Sequence, residues 1–120
     1  MKTSILRDKS IAFAIRIVRL SQKLQSEKKE FVLSKQILRS GTSIGANIHE
    51  AQFGQSKPDF INKLSLSVKE TYETEYWLII LKETSYIEEN EFQSLVTDCI
   101  ELKAILIASI KTAKDSLSKK

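Results

Sequence analysis

Phe92, Leu95, Cys99, Leu102, Leu106, Ser109 and Ala113 follow one another at alternating spacings of three and four residues. At 3.6 residues per turn this rhythm returns every one of them to the same stripe of an α-helix, whereas a strand would scatter them over both faces of a sheet. The C-terminal part of the chain is thereby committed to a helix whose seam must be buried against other helices.

The same periodicity recurs upstream. Phe13, Ile17, Leu20 and Leu24 mark one face of a helix expected over about Ser4 to Lys29. A second helix is expected from an N-cap at Ser34 to a stop near Gly54, with Ile37, Gly41, Ile44, Ile48 and Ala51 along its seam. Ser56, Pro58 and Asp59 form a start signal for a third. It runs to about Thr84 with Phe60, Leu64, Val68, Leu78 and Leu81 inward, and a break over Ser85 to Glu89 precedes the fourth, which reaches about Ser118. Only three Gly and one Pro in 120 residues leave too few turn residues for a sheet protein of this length. The expectation is an all-α, antiparallel up-down-up-down four-helix bundle forming one domain over residues 1–120, because short links favour antiparallel neighbours. Phe13, Ile17, Leu24, Ile44, Ile48, Leu64, Val68, Leu95, Leu102 and Leu106 are its expected core.

Two features exceed what a simple bundle needs. The second helix concentrates small residues, and Gly41 and Gly45 each cost about 1 kcal/mol relative to Ala inside a helix. A closely approaching neighbour would offset that cost. In Tyr76 to Leu81 and Ala104 to Ile110 apolar side chains run around the whole helix circumference. One subunit cannot bury all of them, which points to a homo-oligomer.

Charge is segregated. Residues 1–40 carry ten Lys and Arg against three Asp and Glu (+7), residues 41–101 four against eleven (−7), and residues 102–120 five against one (+4). In an antiparallel bundle the basic ends pool on one side, making Arg16, Arg19, Lys23, Lys111 and Lys114 candidates for non-specific contact with RNA or DNA phosphates. The alternative is that the basic ends neutralise the acidic middle within the bundle or between subunits.

Several classes find no support. One Cys excludes an internal disulfide, and one His with one Cys provides no zinc set. His49 has Ala46 three residues before it, so the Glu-x-x-His pairs of di-metal bundles are missing. Cys99 lies on an apolar seam, where a thiol acts as a small hydrophobe. No phosphate-binding glycine loop occurs. Glu50, Glu70, Glu73 and Glu75 could form an acid/base cluster, but bonding to neighbouring helices is the simpler role for them. Tyr72, Tyr76 and Trp77 could stack bases or simply pack. The longest apolar run is far short of the roughly 20 residues that cross a bilayer, and a cytoplasmic protein without cofactor or metal is expected.

The segment QILRSGTSIGANIHEAQFG (Gln36 to Gly54) and the pattern from Phe60 to Leu78 closely resemble the bacterial four-helix-bundle proteins encoded within intervening sequences of 23S rRNA genes. The most specific parts are Arg39-Ser40, Ser43-Ile44-x-Ala46-Asn47-Ile48-x-Glu50-Ala51 and Glu73-x-Glu75-x-x-Leu78. Members usually carry a small residue where this chain has His49. That family is similar in turn to the accessory proteins of diversity-generating retroelements, pentameric barrels that associate with nucleic acid and a reverse transcriptase. The resemblance implies a left-handed bundle assembled as a ring, a homopentamer, without enzymatic activity. It also implies a structural polar network of Arg39, Ser40, Ser43, Asn47, Glu50, Glu73 and Glu75 that sets geometry between helices or subunits. Two function classes follow: a non-catalytic oligomer associated with nucleic acid, or a structural oligomer that binds another protein.

Overall fold

The computed structural model describes residues 2–118, with side chains from Ile5 onward, so Met1, Lys119 and Lys120 of the expected domain lie outside the described residues. Four helices follow in order: α1 (Lys2–Lys28), α2 (Leu33–Ala51), α3 (Lys57–Glu83) and α4 (Glu89–Ser118). Each helix touches its two chain or ring neighbours, with α4 closing back on α1, while α1 and α3, like α2 and α4, sit diagonally across the core. Pairings run in opposite directions along each contact. Ser67 meets Ile44 while Thr74 meets Ser40, and Lys9 meets Glu101 while Lys23 meets Glu91. The bundle is therefore antiparallel throughout and elongated, 53 × 22 × 20 Å.

The expected seams hold. Phe13, Ile17, Leu20 and Leu24 of α1, and Phe92, Leu95, Cys99, Leu102, Leu106 and Ala113 of α4, are buried. Ser109, and Phe60 and Val68 of the expected α3 seam, are only partly covered. In α3 the core positions between Leu64 and Leu78 are taken by Ser67, Thr71 and Thr74. Each hydroxyl donates to a backbone carbonyl: Ser67 to Ile44 at 2.6 Å, Thr71 to Val68 at 2.6 Å and Thr74 to Glu70 at 2.7 Å. A buried hydroxyl so paired avoids the desolvation cost of an orphaned one, and hydrophobicity alone points to Val68 instead.

Gly41 answers the expectation of close approach. A Cβ there would stand 2.8 Å from both Cγ atoms of Ile17, so α1 packs almost onto the α2 backbone. Gly45 faces Ser10, with its nearest atom at 3.2 Å.

One helix start differs from expectation. Ser34 is not the N-cap of α2; it lies inside the first turn, buried, and Val32 holds the cap position without a side-chain bond. The free N–H groups of Val32, Leu33 and Ser34 instead donate to the buried carboxylate of Glu30 at 3.1, 3.0 and 2.7 Å. Lys29, at φ 54°, turns the chain so that Glu30 can reach them. Burial pushes the Glu30 carboxyl up, but the bonds from Leu33, Ser34 and Val32 outweigh it and hold the group below the usual range. α2 also ends at Ala51, three residues before Gly54. The start of α3 is as expected: Ser56 accepts from the Asp59 N–H at 3.2 Å, and Pro58 sits in the first turn.

Candidate functional site

The motif residues of α2 and α3 divide into separate groups. Arg39 reaches across to α3, where its guanidinium bonds Glu73 and lies 3.4 Å from Glu70. The indole N–H of Trp77 donates to the same Glu73 carboxylate at 3.0 Å. Arg39, then Trp77, holds the Glu73 carboxyl below its ordinary range, and Glu73 in turn raises the Arg39 guanidinium. Beneath this cluster the hydroxyls of Thr74 and buried Ser40 pair at 3.0 Å across the α2/α3 contact. Ser43 and Asn47 stay within α2, donating to the carbonyls of Arg39 and Ser43. Glu50 pairs with Lys63 at 2.8 Å, which lowers its carboxyl. Glu75 lies on the other flank of α3, bonded at 2.6 Å to Lys103 of α4, whose ammonium also stands 4.1 Å over the Tyr72 ring. Glu70 bonds the second helix, as the sequence suggested for it and for Glu73, whereas sequence reasoning did not name Trp77, Thr74, Lys63 or Lys103 as partners; the position of Trp77 four residues after Glu73 was the available signal for the first of these.

No group of His, Cys, Asp and Glu able to hold a metal occurs among the described residues. Cys99 is buried against the Thr71 carbonyl, and burial, aided by Glu75, pushes its thiol up to about 12. A thiol so protonated is a poor nucleophile. His49 stacks at a tilt on exposed Phe53, ring centres 5.2 Å apart, at the end of α2.

The basic row of α1 faces α4. Lys9 pairs with Glu101 at 3.1 Å, Arg16 with Asp98 at 2.6 Å and with the Ser94 hydroxyl at 2.9 Å, and Lys23 lies 3.9 Å from Glu91. Lys111 pairs with Asp115 one turn on, at 3.2 Å. Arg19 and Lys114 are exposed and have no ion-pair partner among the described residues. Arg16 and Lys23 thus already meet acids inside the subunit.

Two apolar flanks lie on opposite sides of the bundle. Between α1 and α2, Ile11, Ala14, Ile15 and Val18 stand beside Thr42, Gly45 and Ala46 along a groove of about 570 Å³. On the α3/α4 side Tyr72 is exposed beside Lys103. Ile79 follows it by seven residues, and Ile100 and Ile107 lie three before and four after Lys103, so all share that flank. Ile15 and Ile107 remain 48% and 49% exposed, far from the burial of a core isoleucine. The α3/α4 residues belong in part to the two stretches singled out in the sequence; the α1 stripe was hidden there by the basic row beside it.

Comparison with known proteins places this architecture. The profile of the 23S rRNA-intervening sequence protein family matches residues 2–108. The chain belongs to that family. A crystal structure at 1.70 Å of a protein with unknown function from the S23 ribosomal protein family of Bacteroides thetaiotaomicron superposes on this member with a TM-score of 0.91. The two are 55% identical over 92% of this chain and 99% of the other. No curated protein matches significantly. No helix among the described residues of this family member is long and apolar enough to cross a membrane.

Proposed function

We propose that this protein is a non-catalytic assembly unit that associates with copies of itself, the α1/α2 groove of one subunit receiving the α3/α4 flank of the next. The observation that carries the reading is the pair of exposed apolar flanks on opposite sides of one bundle. Unlike, opposed surfaces build a head-to-tail contact, which closes into a ring when the rotation allows it. By the family resemblance the ring is a homopentamer.

Light scattering coupled to size exclusion tests this. The wild type should run as a closed oligomer, and Ile15→Glu and Ile107→Glu should each dissociate it. Mixed together, the two variants retain one intact surface each of opposite kind and should form a one-to-one pair. A stable wild-type monomer at micromolar concentration rejects the reading.

A second reading, non-specific association of that assembly with RNA or DNA, is supported by one placement. The start of α1, the α2–α3 turn and the end of α4 meet at one end of the bundle, where Arg7 and Lys57 line a common cavity with α4. Lys111 and Lys114 belong to the same last turns of α4. Affinity should fall with salt at a log–log slope of about −0.7 to −0.9 per phosphate contact. Replacing Lys111 and Lys114 by Glu should weaken binding more than replacing the paired Arg16 and Lys23, with Arg19→Glu adding to either. Absence of binding at low salt leaves the structural, protein-binding oligomer as the function.

A further inference from the structure

At the end of the bundle where the chain ends and the α2–α3 turn converge, the packing leaves a cavity of about 800 Å³. That size is within the range of small-molecule sites. Its origin is visible in the sequence: Ala51, Gly54, Ser109 and Ala113 put small side chains where the ends of the four helices meet, and no larger side chain among the described residues fills the space. Leu6, Ile48, Phe60 and Leu64 supply the apolar wall.

The rim has one sign of charge. Among the described residues Arg7 and Lys57 are the charged ones lining the cavity, and no Asp or Glu joins them. The Lys57 ammonium is held 2.7 Å from the Ser116 hydroxyl across the opening. Arg7 lies 3.6 Å from Asp8 of its own helix, an exposed carboxylate that is not part of the cavity lining. Ser109, Thr112 and Ser116 add neutral hydroxyls on the α4 side.

We propose that this cavity binds a small amphipathic anion, a carboxylate with an unbranched apolar tail, with Arg7 and Lys57 meeting the head group and the wall of Leu6, Ile48, Phe60 and Leu64 receiving the tail. An apolar body satisfies the wall, and a single negative head satisfies two cations that face no acid of the cavity. A neutral chain would leave both cations as they are, and a cationic one would be repelled. The proposal is independent of self-assembly, which uses the two flanks and not this end.

Calorimetry and methyl NMR on the full chain, with octanoate, octan-1-ol and octylammonium as probes, test it. Octanoate should bind and shift the Ala51, Leu64 and Ala113 methyls, about tenfold or more tighter than octan-1-ol, the difference a charge-assisted hydrogen bond supplies. Octylammonium should bind more weakly than the alcohol. Arg7→Gln with Lys57→Gln should remove the preference for the acid and leave the alcohol unchanged. Ala113→Phe, checked for its fold by circular dichroism, should abolish both; Ser109→Leu, at a partly exposed position, serves if that variant does not fold. No octanoate binding at millimolar concentration overturns the proposal. So does equal affinity for acid and alcohol, or binding that survives filling the cavity and shifts the α1 flank instead.

Discussion

Helix α2 meets α1 through missing side chains and α3 through polar ones. Toward α1, Gly41 lets Ile17 rest almost on the backbone, and the link between the two helices is fixed by Glu30. Toward α3, Ser40, Thr74 and Ser67 bond across the buried interface and Arg39 clamps Glu73 at its edge. The first contact depends on shape and fails abruptly when volume is added. The second is a set of small directional terms, each worth about 0.5–1.5 kcal/mol, which selects one register among several that an apolar seam would tolerate.

The sharpest way to break the comparison is a double-mutant cycle at Gly41 and Ile17. Ile17→Ala alone should cost about 2–5 kcal/mol, the usual price of a cavity in a core. Gly41→Ala alone gains about 1 kcal/mol of helix propensity but forces Ile17 aside, for an expected net loss of about 1–2 kcal/mol. Together the losses should fall short of their sum, because the shortened residue 17 makes room for the new methyl. Urea denaturation measures all three. Additive losses would mean that the shape complementarity at Gly41 is not what joins α1 to α2. Gly45→Ala, whose new methyl would stand 3.2 Å from the Ser10 hydroxyl, is also tight but displaces less, and should cost less than Gly41→Ala.

Glu30→Ala tests the other half of the α1/α2 contact and should cost about 0.5–2 kcal/mol, the range of a lost helix cap. Its pH dependence has a definite sign. The folded carboxyl is held below its ordinary value, so its contribution is fully present above the ordinary carboxylate range and is lost as pH falls through the lowered folded value. The stability gap between wild type and Glu30→Ala should therefore narrow in acid. A gap that stays constant down to strongly acidic pH would show that the carboxylate charge is not what caps α2.

What could be read ahead of the structure follows the same division. Apolar periodicity made the α1 and α4 seams and the bundle itself legible, and Ser56, Pro58 and Asp59 marked the start of α3, since each of these acts through residues adjacent in sequence. Glu30 as the cap of α2 was not legible, because it acts from outside the helix and depends on the left-handed turn at Lys29. Thr71 and Thr74 were passed over as core because burial of a hydroxyl depends on a carbonyl it can reach. Of the motif residues, Arg39 and Glu73 do meet, whereas Glu75 faces α4; sequence proximity of Glu73 and Glu75 concealed that they occupy opposite flanks of α3.

On the α3 side, Thr74→Val keeps the volume near that of threonine but removes the bond to Ser40, and about 1 kcal/mol should be lost. If the hydroxyls specify register rather than stability alone, the variant should also lose dispersion in its amide NMR spectrum more than an equally destabilised Leu→Ala variant does.

The smallest effect is expected at the edge of that interface. Arg39 and Glu73 are half exposed, so solvent screening limits their pairing to about 0.2–1 kcal/mol. Arg39→Gln and Glu73→Gln should each cost that little, with a coupling that shrinks as salt is added. Trp77 offers a separate readout, since its indole N–H shares the Glu73 carboxylate: Glu73→Gln should shift Trp77 emission while Arg39→Gln moves it less. Should Arg39→Gln instead cost as much as Ile17→Ala, the guanidinium would have to be buried in the working protein, as it would be if another subunit covered the α2/α3 edge. That outcome would move the assembly contact from the apolar flanks to the polar motif, and the light-scattering behaviour of Ile15→Glu and Ile107→Glu would have to change with it.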